Sequence, residues 1–140
     1  MLEFVEKISE LYSHEFDGLD PEIKNCKDRL FLYILVRFLK PSRILEIGTS
    51  NGKNLHAIIA ACIKNQNEYK IHTIDINDNL KLDNFLLEYV EVHIGHSNVI
   101  LEKIKDKIDF IFSNGKIDKK SARLLNYIIT PKTFFSTKDF

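Results

Sequence analysis

Two glycines and one aspartate have the spacing that most clearly predicts chemistry in this chain. Gly48 and Gly52 follow a short apolar stretch, and Asp75 comes 23 residues after Gly52, at the end of the next apolar stretch. Glycines let the backbone turn sharply and approach a ligand, and the first turn of a following helix offers free N–H groups to an oxygen acceptor. A carboxylate at the position of Asp75 can accept both hydroxyls of a ribose. Together these residues predict a site for an adenosine-containing ligand.

The spacing within the glycine loop narrows the choice of ligand. A dinucleotide-binding loop reads Gly-x-Gly-x-x-Gly, but Ser50 and Lys53 stand where the second and third glycines belong. A pyrophosphate is therefore disfavoured, and a nicotinamide-dependent oxidoreductase is disfavoured with it.

A second motif, His93-Ile-Gly-His96, spells the signature of nucleotidylyl transferases. That signature follows the first strand of its own fold, whereas here it spans the third predicted strand, and a motif counts only in its structural setting. We therefore predict that His93 faces the packing of the sheet and that His96 rims the pocket.

Helices and strands alternate along most of the chain and must position these residues. The first 40 residues read as two helices, one ending near His14 and one running from Asp20 to Pro41. After Arg43 the pattern predicts strands at 43–47, 70–75, 90–94, 108–112 and 133–136, and helices at 53–64, 80–88, 98–105 and 119–127. Right-handed crossovers between such strands give a parallel sheet with helices on both faces.

The predicted fold class is therefore α/β, a doubly wound, mostly parallel five-stranded sheet flanked by helices, with an N-terminal helical segment. We expect a single domain over residues 1–140, with a helical segment at 1–40 and a cofactor-binding core at 41–140. In such a sheet, ligands bind beyond the carboxyl ends of the strands. Small or polar residues follow four of the predicted strands, at 46–52, 75–77, 95–97 and 113–115.

The stretch Ile44-Leu-Glu-Ile-Gly-Thr-Ser-Asn-Gly52 resembles motif I of the class I S-adenosylmethionine-dependent methyltransferases, particularly the branch of small-molecule O-methyltransferases. Residues 35–41 resemble the lead-in helix of that branch, Thr73-Ile-Asp-Ile76 its acidic second-strand end, and residues 108–112 its fourth strand. The resemblance spans residues 30 to 115. It implies a Rossmann-like methyltransferase core, S-adenosylmethionine as the cofactor and a small-molecule methyl acceptor.

The same resemblance implies which residues contact the cofactor. The glycine loop would lie against the methionine part, and Glu46 would order that loop. Asp75 would hold the ribose, Ile76 would pack on the adenine, and residues 96–97 would meet the adenine edge. The implied cofactor-binding residues are Glu46, Gly48, Thr49, Ser50, Asn51, Gly52, Asp75, Ile76, His96, Ser97 and Asn114.

The chain also departs from the family pattern. Where the family has an acidic residue after the glycine that follows the third strand, this chain has His96. Where the family has an aspartate at the end of the fourth strand, this chain has Asn114. In the metal-dependent members of the family, the three ligand positions would correspond to Asn114, Asp139 and Phe140 here. These residues offer at most one carboxylate, so we predict no metal. No catalytic residue is assigned, although His96 and Asp139 are candidates for a base.

A non-catalytic role is the alternative to methyl transfer. The chain ends where the family continues into two more strands, so a substrate-covering part is expected to be missing. The alternative is a methyltransferase-like domain that works through cofactor binding or protein association. The nearly all-apolar stretch at 30–39 suits a second subunit, and a homodimer through the N-terminal helices is one expectation.

Composition excludes several other classes of function. The 20 basic and 20 acidic residues leave no net positive field to attract nucleic acid or an anionic membrane. Cys26 and Cys62 belong to no disulfide framework or zinc-ligand pattern, and the start of the chain does not resemble a signal peptide. The longest apolar run is too short to span a bilayer. We therefore expect a cytoplasmic protein.

Overall fold

The computed structural model describes residues 2–137, and of Leu2 only the backbone. The chain forms two compact units. The helical unit comprises the chain up to Lys40 together with Lys53–Asn67, and the sheet unit comprises Pro41–Gly52 and the chain from Glu68 onward. The single domain over residues 1–140 stays a prediction.

Short helices make up the described part of the helical unit. In chain order they are α1 (Leu2–Tyr12), a 3-10 helix (Ser13–Gly18), α2 (Pro21–Lys24), α3 (Lys27–Leu39) and α4 (Lys53–Asn65). The predicted helix from Asp20 to Pro41 is thus two helices, interrupted at Asn25 and at Cys26, whose backbone is extended. Both interrupting residues are weak helix formers.

The caps of these helices follow the sequence closely. The side chain of Asp20 accepts the N–H of Glu22 at 2.8 Å, and Pro21 occupies the first helical position of α2. Helix α3 ends at Leu39, and its C-cap Lys40 takes a left-handed conformation with φ 48°, immediately before Pro41. Helices α3 and α4 pack together within this unit, and most of their apolar side chains are buried.

The sheet unit contains five parallel strands in the described residues. They are β1 (Arg43–Ile47), β2 (Lys70–Asp75), β3 (Val90–Ile94), β4 (Ile108–Ser113) and β5 (Ile129–Thr137), and their order in the sheet is β3-β2-β1-β4-β5. Every pairing is parallel. Strand β1 therefore has β2 on one side and β4 on the other, which is the reversal of strand order that defines a doubly wound sheet. The predicted α/β fold class is confirmed.

One face of this sheet carries an apolar core formed with α5 (Ser97–Ile100) and α6 (Lys119–Ile128). The core residues are Leu45, Ile47, Ile74, Ile100, Leu101, Ile104, Ile108, Ile111, Leu125 and Ile128. Helix α5 is one turn long, shorter than the predicted 98–105. Strand β5 begins at Ile129, four residues before the predicted start at Thr133.

The predicted helix at 80–88 is wrong for most of its length. Only Asn84–Leu87 is helical, as a 3-10 turn. Leu80 and Leu82 instead both pack toward Gly52, and side chains two residues apart share one side only in an extended backbone. Tertiary packing on the glycine loop thus overrides the helical spacing.

Candidate functional site

The carboxyl ends of β1, β2, β3 and β4 surround a cleft with a volume of about 200 Å³. Its position agrees with the rule that ligands bind at the strand-order reversal of an open parallel sheet. The lining residues are Ile47, Gly48, Ile74, Asp75, Ile76, Gly95, His96, Ser97, Gly115, Lys116 and Asp118. All of them belong to the sheet unit.

Five of the predicted cofactor-binding residues line this cleft, and a sixth adjoins it. The lining set is Gly48, Asp75, Ile76, His96 and Ser97. Asn114 packs against Gly48 just behind the lining. The other five predicted residues are not in the lining: Glu46, Thr49 and Gly52 are buried, whereas Ser50 and Asn51 are exposed elsewhere on the loop.

Gly48 brings the backbone of the glycine loop close to the end of β4. Its φ is 92°, and a Cβ atom added there would lie 3.4 Å from the Cβ of Asn114. Its N–H donates to the carbonyl oxygen of Ile74 at 2.7 Å, and the N–H of Asn114 donates to the carbonyl oxygen of Ile47 at 2.9 Å. Only glycine takes this conformation without strain at such close approach. The start of the loop is therefore fixed between β2 and β4.

Asn114 carries an acceptor that no described residue satisfies. Its Oδ1 is buried and has no hydrogen-bond partner among the described residues. Buried polar atoms of this kind are rare and call for a donor from water or a ligand. Asn114 thus leaves a buried acceptor on a residue that contacts Gly48.

Asp75 has a second task that the sequence does not reveal. Its Oδ2 accepts the N–H of Ser50 at 2.6 Å, and its Oδ1 accepts the N–H of Asn77 at 3.0 Å. Ser50 has a left-handed φ of 53°, so the carboxylate holds the loop in a conformation that costs a non-glycine residue energy. Each carboxylate oxygen has two lone pairs, and Asp75 can still accept further hydrogen bonds.

Glu46 lies under the glycine loop, fully buried, and reaches it through two threonines. The hydroxyl of Thr73 donates to Glu46 Oε1 at 2.5 Å and lies 2.6 Å from the hydroxyl of Thr49. Glu46 Oε2 has no partner among the described residues. Burial raises the pKa of Glu46 to about 8, against the effect of the Thr73 hydrogen bond. Burial thus favours the protonated form of this carboxyl group. Its ordering of the loop stays a prediction.

Gly52 is covered by the segment that follows β2. Its φ is 90°, and an added Cβ atom would lie 2.4 Å from Leu80 Cδ1 and 3.0 Å from Leu82 Cγ. The N–H of Lys81 donates to the carbonyl oxygen of Asn51 at 3.1 Å, which holds that segment on the loop. Gly52 thus has a packing role in addition to its turn conformation.

Replacing Gly52 with Ala should lower the free energy of unfolding by roughly 1–2 kcal/mol, because alanine is strained at this φ and its Cβ displaces Leu80. Chemical denaturation of wild type and variant measures this. Gly115→Ala is the matched control, since Gly115 has no neighbour within 4 Å of an added Cβ and no positive φ. Equal destabilisation by the two substitutions would contradict the packing role of Gly52.

The side of the cleft formed by β3 and α6 is polar. Ser97 Oγ lies 2.8 Å from Ser121 Oγ. The hydroxyl of Ser121 donates a hydrogen bond to Asp118 Oδ2 at 3.1 Å. His96 is exposed at the rim, immediately before α5. Ile76, 58% exposed, is the apolar side chain beside these polar groups.

Two charged residues of the site were not predicted from the sequence. Lys116 and Asp118 line the cleft, two and four residues after Asn114. Asp118 could have been found from its role as the N-cap of α6, where its Oδ1 accepts the N–H of Ser121 at 2.8 Å. A helix that starts at this edge of the sheet brings its N-cap residue into the cleft. Asp139 and Phe140 lie outside the described residues, so the absence of a metal at those positions stays a prediction.

Solved structures of methyltransferases share this fold. The O-methyltransferase TomG of Streptomyces achromogenes, solved with S-adenosylmethionine, matches with a TM-score of 0.59 and 21% identity over 91% of this chain and 60% of its own. An O-methyltransferase of Bacillus cereus, solved with S-adenosylhomocysteine, matches with a TM-score of 0.65 and 19% identity over 94% of this chain and 63% of its own. A methyltransferase of Podospora anserina, also solved with S-adenosylhomocysteine, matches with a TM-score of 0.66 and 15% identity over 96% and 61%.

The chain therefore has the fold of the class I S-adenosylmethionine-dependent O-methyltransferases, and the resemblance first read from its motifs is confirmed at the level of fold. It spans about three fifths of the length of these three structures. No protein-family model and no curated protein sequence matches it. Among the described residues, no helix is long and apolar enough to cross a membrane.

Proposed function

We propose that the protein binds S-adenosylmethionine in the cleft at the carboxyl ends of β1–β4 and transfers its methyl group to a small-molecule acceptor. The observation that carries this proposal is the carboxylate of Asp75, which lies in the same cleft as Gly48 and beside the exposed apolar side chain of Ile76. A ribose hydroxyl pair and an adenine ring need these two kinds of neighbour. Structures of the same fold hold this cofactor or its product.

Further features of the cleft fit the methionine part of the cofactor. The φ of 92° at Gly48 disfavours any side chain at the start of the loop, next to Asn114. The unsatisfied Oδ1 of Asn114 is an acceptor for a ligand N–H group, such as the ammonium of methionine. In this proposal Asp75 holds the ribose, Ile76 packs on the adenine, and Asn114 with Gly48 meets the amino-acid end. Thr49 and Glu46 act from beneath the loop, by fixing its backbone.

The cofactor supplies an electrophilic methyl group on a sulfonium, so the protein need only hold donor and acceptor in line. Proximity of this kind can supply roughly 7–11 kcal/mol of the barrier. A hydroxyl acceptor must also lose a proton. His96, exposed on the rim of the cleft, is the residue we expect to take it, because imidazole most often acts as general base. Lys116 shares the cleft with the carboxylates of Asp75 and Asp118, so the lining has no net positive charge to select an anionic acceptor.

Replacing Asp75 with Ala should weaken binding of S-adenosylmethionine about ten- to a hundredfold, because hydrogen bonds to a charged group worth roughly 1.5–3 kcal/mol are lost. Calorimetric titration of purified protein with S-adenosylmethionine and S-adenosylhomocysteine measures the affinities. Asp75 also holds Ser50, so thermal unfolding of the variant shows whether the substitution destabilises the protein as well.

The matched control is Asp78→Ala, which removes an exposed carboxylate three residues away and outside the cleft. Its affinity should equal that of wild type. Unchanged affinity in Asp75→Ala would refute the role of Asp75, and absence of binding to wild type would refute the cofactor itself.

A methyltransferase-like domain without catalysis is the second candidate. It is favoured by His96 and Asn114, which stand where the resemblance implies acidic residues. Cofactor binding without turnover on any acceptor supports it, and methyl transfer excludes it. A homodimer through the N-terminal helices and a cytoplasmic location remain part of the proposal. Sedimentation tests the first and fractionation the second.

A further inference from the structure

Three potential metal ligands converge on one face of the sheet, outside the cleft. His72 lies on β2, and Glu91 and His93 lie on β3. In the parallel register, His72 is paired with Glu91, and His93 is paired with Ile74, two residues after His72. Side chains alternate between faces along a strand, so all three point to the same side of the sheet. Strand register, not sequence proximity, creates this cluster.

The distances between the three groups match those around a metal ion. His72 Nδ1 lies 3.1 Å from His93 Nε2 and 3.3 Å from Glu91 Oε2, and the last two atoms are 3.8 Å apart. A tetrahedral ion with ligand bonds of about 2.0–2.1 Å holds its ligand atoms roughly 3.3 Å apart. The three separations lie within about 0.5 Å of that value, so the atoms are spaced as ligands on one face of a coordination tetrahedron would be.

A second layer of contacts orients the ligands. His72 is 3% exposed, and its Nε2 lies 2.6 Å from Asp106 Oδ2. A carboxylate only accepts hydrogen bonds, so this contact places the proton on Nε2 and leaves the lone pair on Nδ1, directed at the cluster. Metal-bound histidines typically donate their other N–H to a carboxylate in this way. Lys70 Nζ holds Glu91 Oε1 at 3.2 Å and Asp106 Oδ2 at 3.1 Å, which leaves Glu91 Oε2 for the ion.

Hydrogen bonding alone accounts for the cluster less well. The N–H of His93 can donate to His72 Nδ1, which explains the contact at 3.1 Å. In the neutral form of His72, Glu91 Oε2 then faces the lone pair of Nδ1 at 3.3 Å, acceptor against acceptor, and either a proton on Nδ1 or a cation removes this conflict. A cation satisfies all three atoms at once. The charges also permit it, because Glu91 and Asp106 outnumber the single cation Lys70 among these contacts.

We propose that His72, Glu91 and His93 bind a Zn²⁺ ion, with a fourth position open to water. Two imidazoles and one carboxylate form a ligand set that suits zinc better than magnesium or calcium. The ion would join the edge strand β3 to β2 and stabilise that side of the sheet. This site departs from the prediction of a protein without metal, and it is independent of cofactor binding in the cleft.

The test uses the full chain, freed of metal with a chelator and titrated with Zn²⁺ by calorimetry. We expect one saturable site of micromolar or tighter affinity, and a higher thermal midpoint in Zn²⁺ because the ion binds the folded state. Mg²⁺ should give no such shift. Co²⁺ in place of Zn²⁺ should give the visible absorption of a tetrahedral site. Absence of saturable binding of both Zn²⁺ and Co²⁺ would overturn the proposal.

Variants separate this site from adventitious binding at other side chains. Glu91→Gln and His93→Gln change partly exposed ligands, so the fold is retained, and each should weaken Zn²⁺ binding by about tenfold or more. Asp106→Asn should weaken it about ten- to a hundredfold by releasing the ring of His72. His56→Gln, on α4, is the matched control and should bind as wild type does. Unchanged affinity in both ligand variants would assign the ion to another place.

Discussion

Replacing Arg37 with Met should lower the free energy of unfolding by about 3–5 kcal/mol, because the substitution leaves the carboxylate of Glu15 buried without its partner. Arg37 lies on α3, and its side chain and that of Glu15 are 14% and 8% exposed. Urea denaturation of wild type and variant measures the difference. The expected loss is a large part of the stability of a domain of this size.

The geometry explains why this ion pair matters more than others on the surface. Arg37 Nε donates to Glu15 Oε2 at 2.9 Å, and Nη2 makes a second short hydrogen bond to Oε1. Tyr33 donates its hydroxyl to Glu15 Oε2 at 2.5 Å, and Arg37 Nη1 donates to Asn65 Oδ1 at 2.6 Å. The guanidinium also lies 4.8 Å from the ring centre of Tyr12. One side chain thus joins α1, the 3-10 helix, α3 and α4 within the helical unit.

The same contacts make this contribution sensitive to acid. Hydrogen bonding to Arg37 holds the pKa of Glu15 below its ordinary value of 4.5, although burial opposes this. A carboxyl group with a lowered pKa in the folded state stabilises the protein above its unfolded pKa, and the contribution is lost as the pH falls through the folded pKa. Wild type should therefore lose more stability below about pH 4 than the Arg37→Met variant does.

Arg29→Met is the control for Arg37, on the same helix. Arg29 pairs with Glu22 at 3.3 Å, but the Glu22 side chain is 57% exposed, and pairs of that kind contribute about 0–1 kcal/mol. A second control is the double variant Arg37→Met with Glu15→Leu, which removes both charges and should be more stable than Arg37→Met alone. Similar losses of unfolding free energy in Arg29→Met and Arg37→Met would contradict this prediction. They would show that the buried contacts of Arg37 stabilise the protein no more than an exposed ion pair does.

Local sequence patterns were sufficient to predict the strands and the cleft. Strands β1 to β4 each contain β-branched or aromatic residues and are followed by small or polar residues, and a parallel sheet places these strand ends at one edge. Gly48 and Asp75 could be assigned to the cleft because both lie directly at strand ends. Asn114 adjoins it for the same reason.

Features that depend on packing between distant segments could not be predicted. Leu80 and Leu82 pack on Gly52 because glycine has no side chain to exclude them. This packing overrides the helical spacing of apolar residues after Leu80. The contact of Arg37 with Glu15 joins residues 22 positions apart across two helices. The contact of His72 with Asp106 joins residues 34 positions apart, and only the register of the strands brings His93 to the same place.

Glu46 also has a role that only the folded structure reveals, and it leads to an expected pH dependence. Burial raises its pKa from an ordinary value of 4.5 to about 8, so the folded protein holds a proton on Glu46 that the unfolded chain releases above its lower pKa. A raised pKa contributes stability that is complete below the unfolded pKa and is lost as the pH rises through the folded pKa. The stability due to Glu46 should therefore fall between about pH 4.5 and pH 8, by up to about 1.4 kcal/mol per pH unit.

Glu46→Gln removes this dependence and retains the shape of the side chain. Glutamine keeps the Oε1 acceptor for Thr73, so the hydrogen bonds that lead to Thr49 and the glycine loop can persist. Chemical denaturation of both proteins at about pH 5, 7 and 9 gives the difference in unfolding free energy, in which the titration of histidines and other shared groups cancels. Wild type should lose stability relative to Glu46→Gln as the pH rises.

A difference that is constant across this range would mean that Glu46 is ionised in the folded protein at neutral pH. The carboxylate would then need a donor for Oε2, which has no partner among the described residues. A bound water or a cofactor ammonium could provide that donor, since either one stabilises the charged form. Repeating the measurement with saturating S-adenosylhomocysteine distinguishes the two, because only a donor carried by the ligand would lower the pKa of Glu46 on binding.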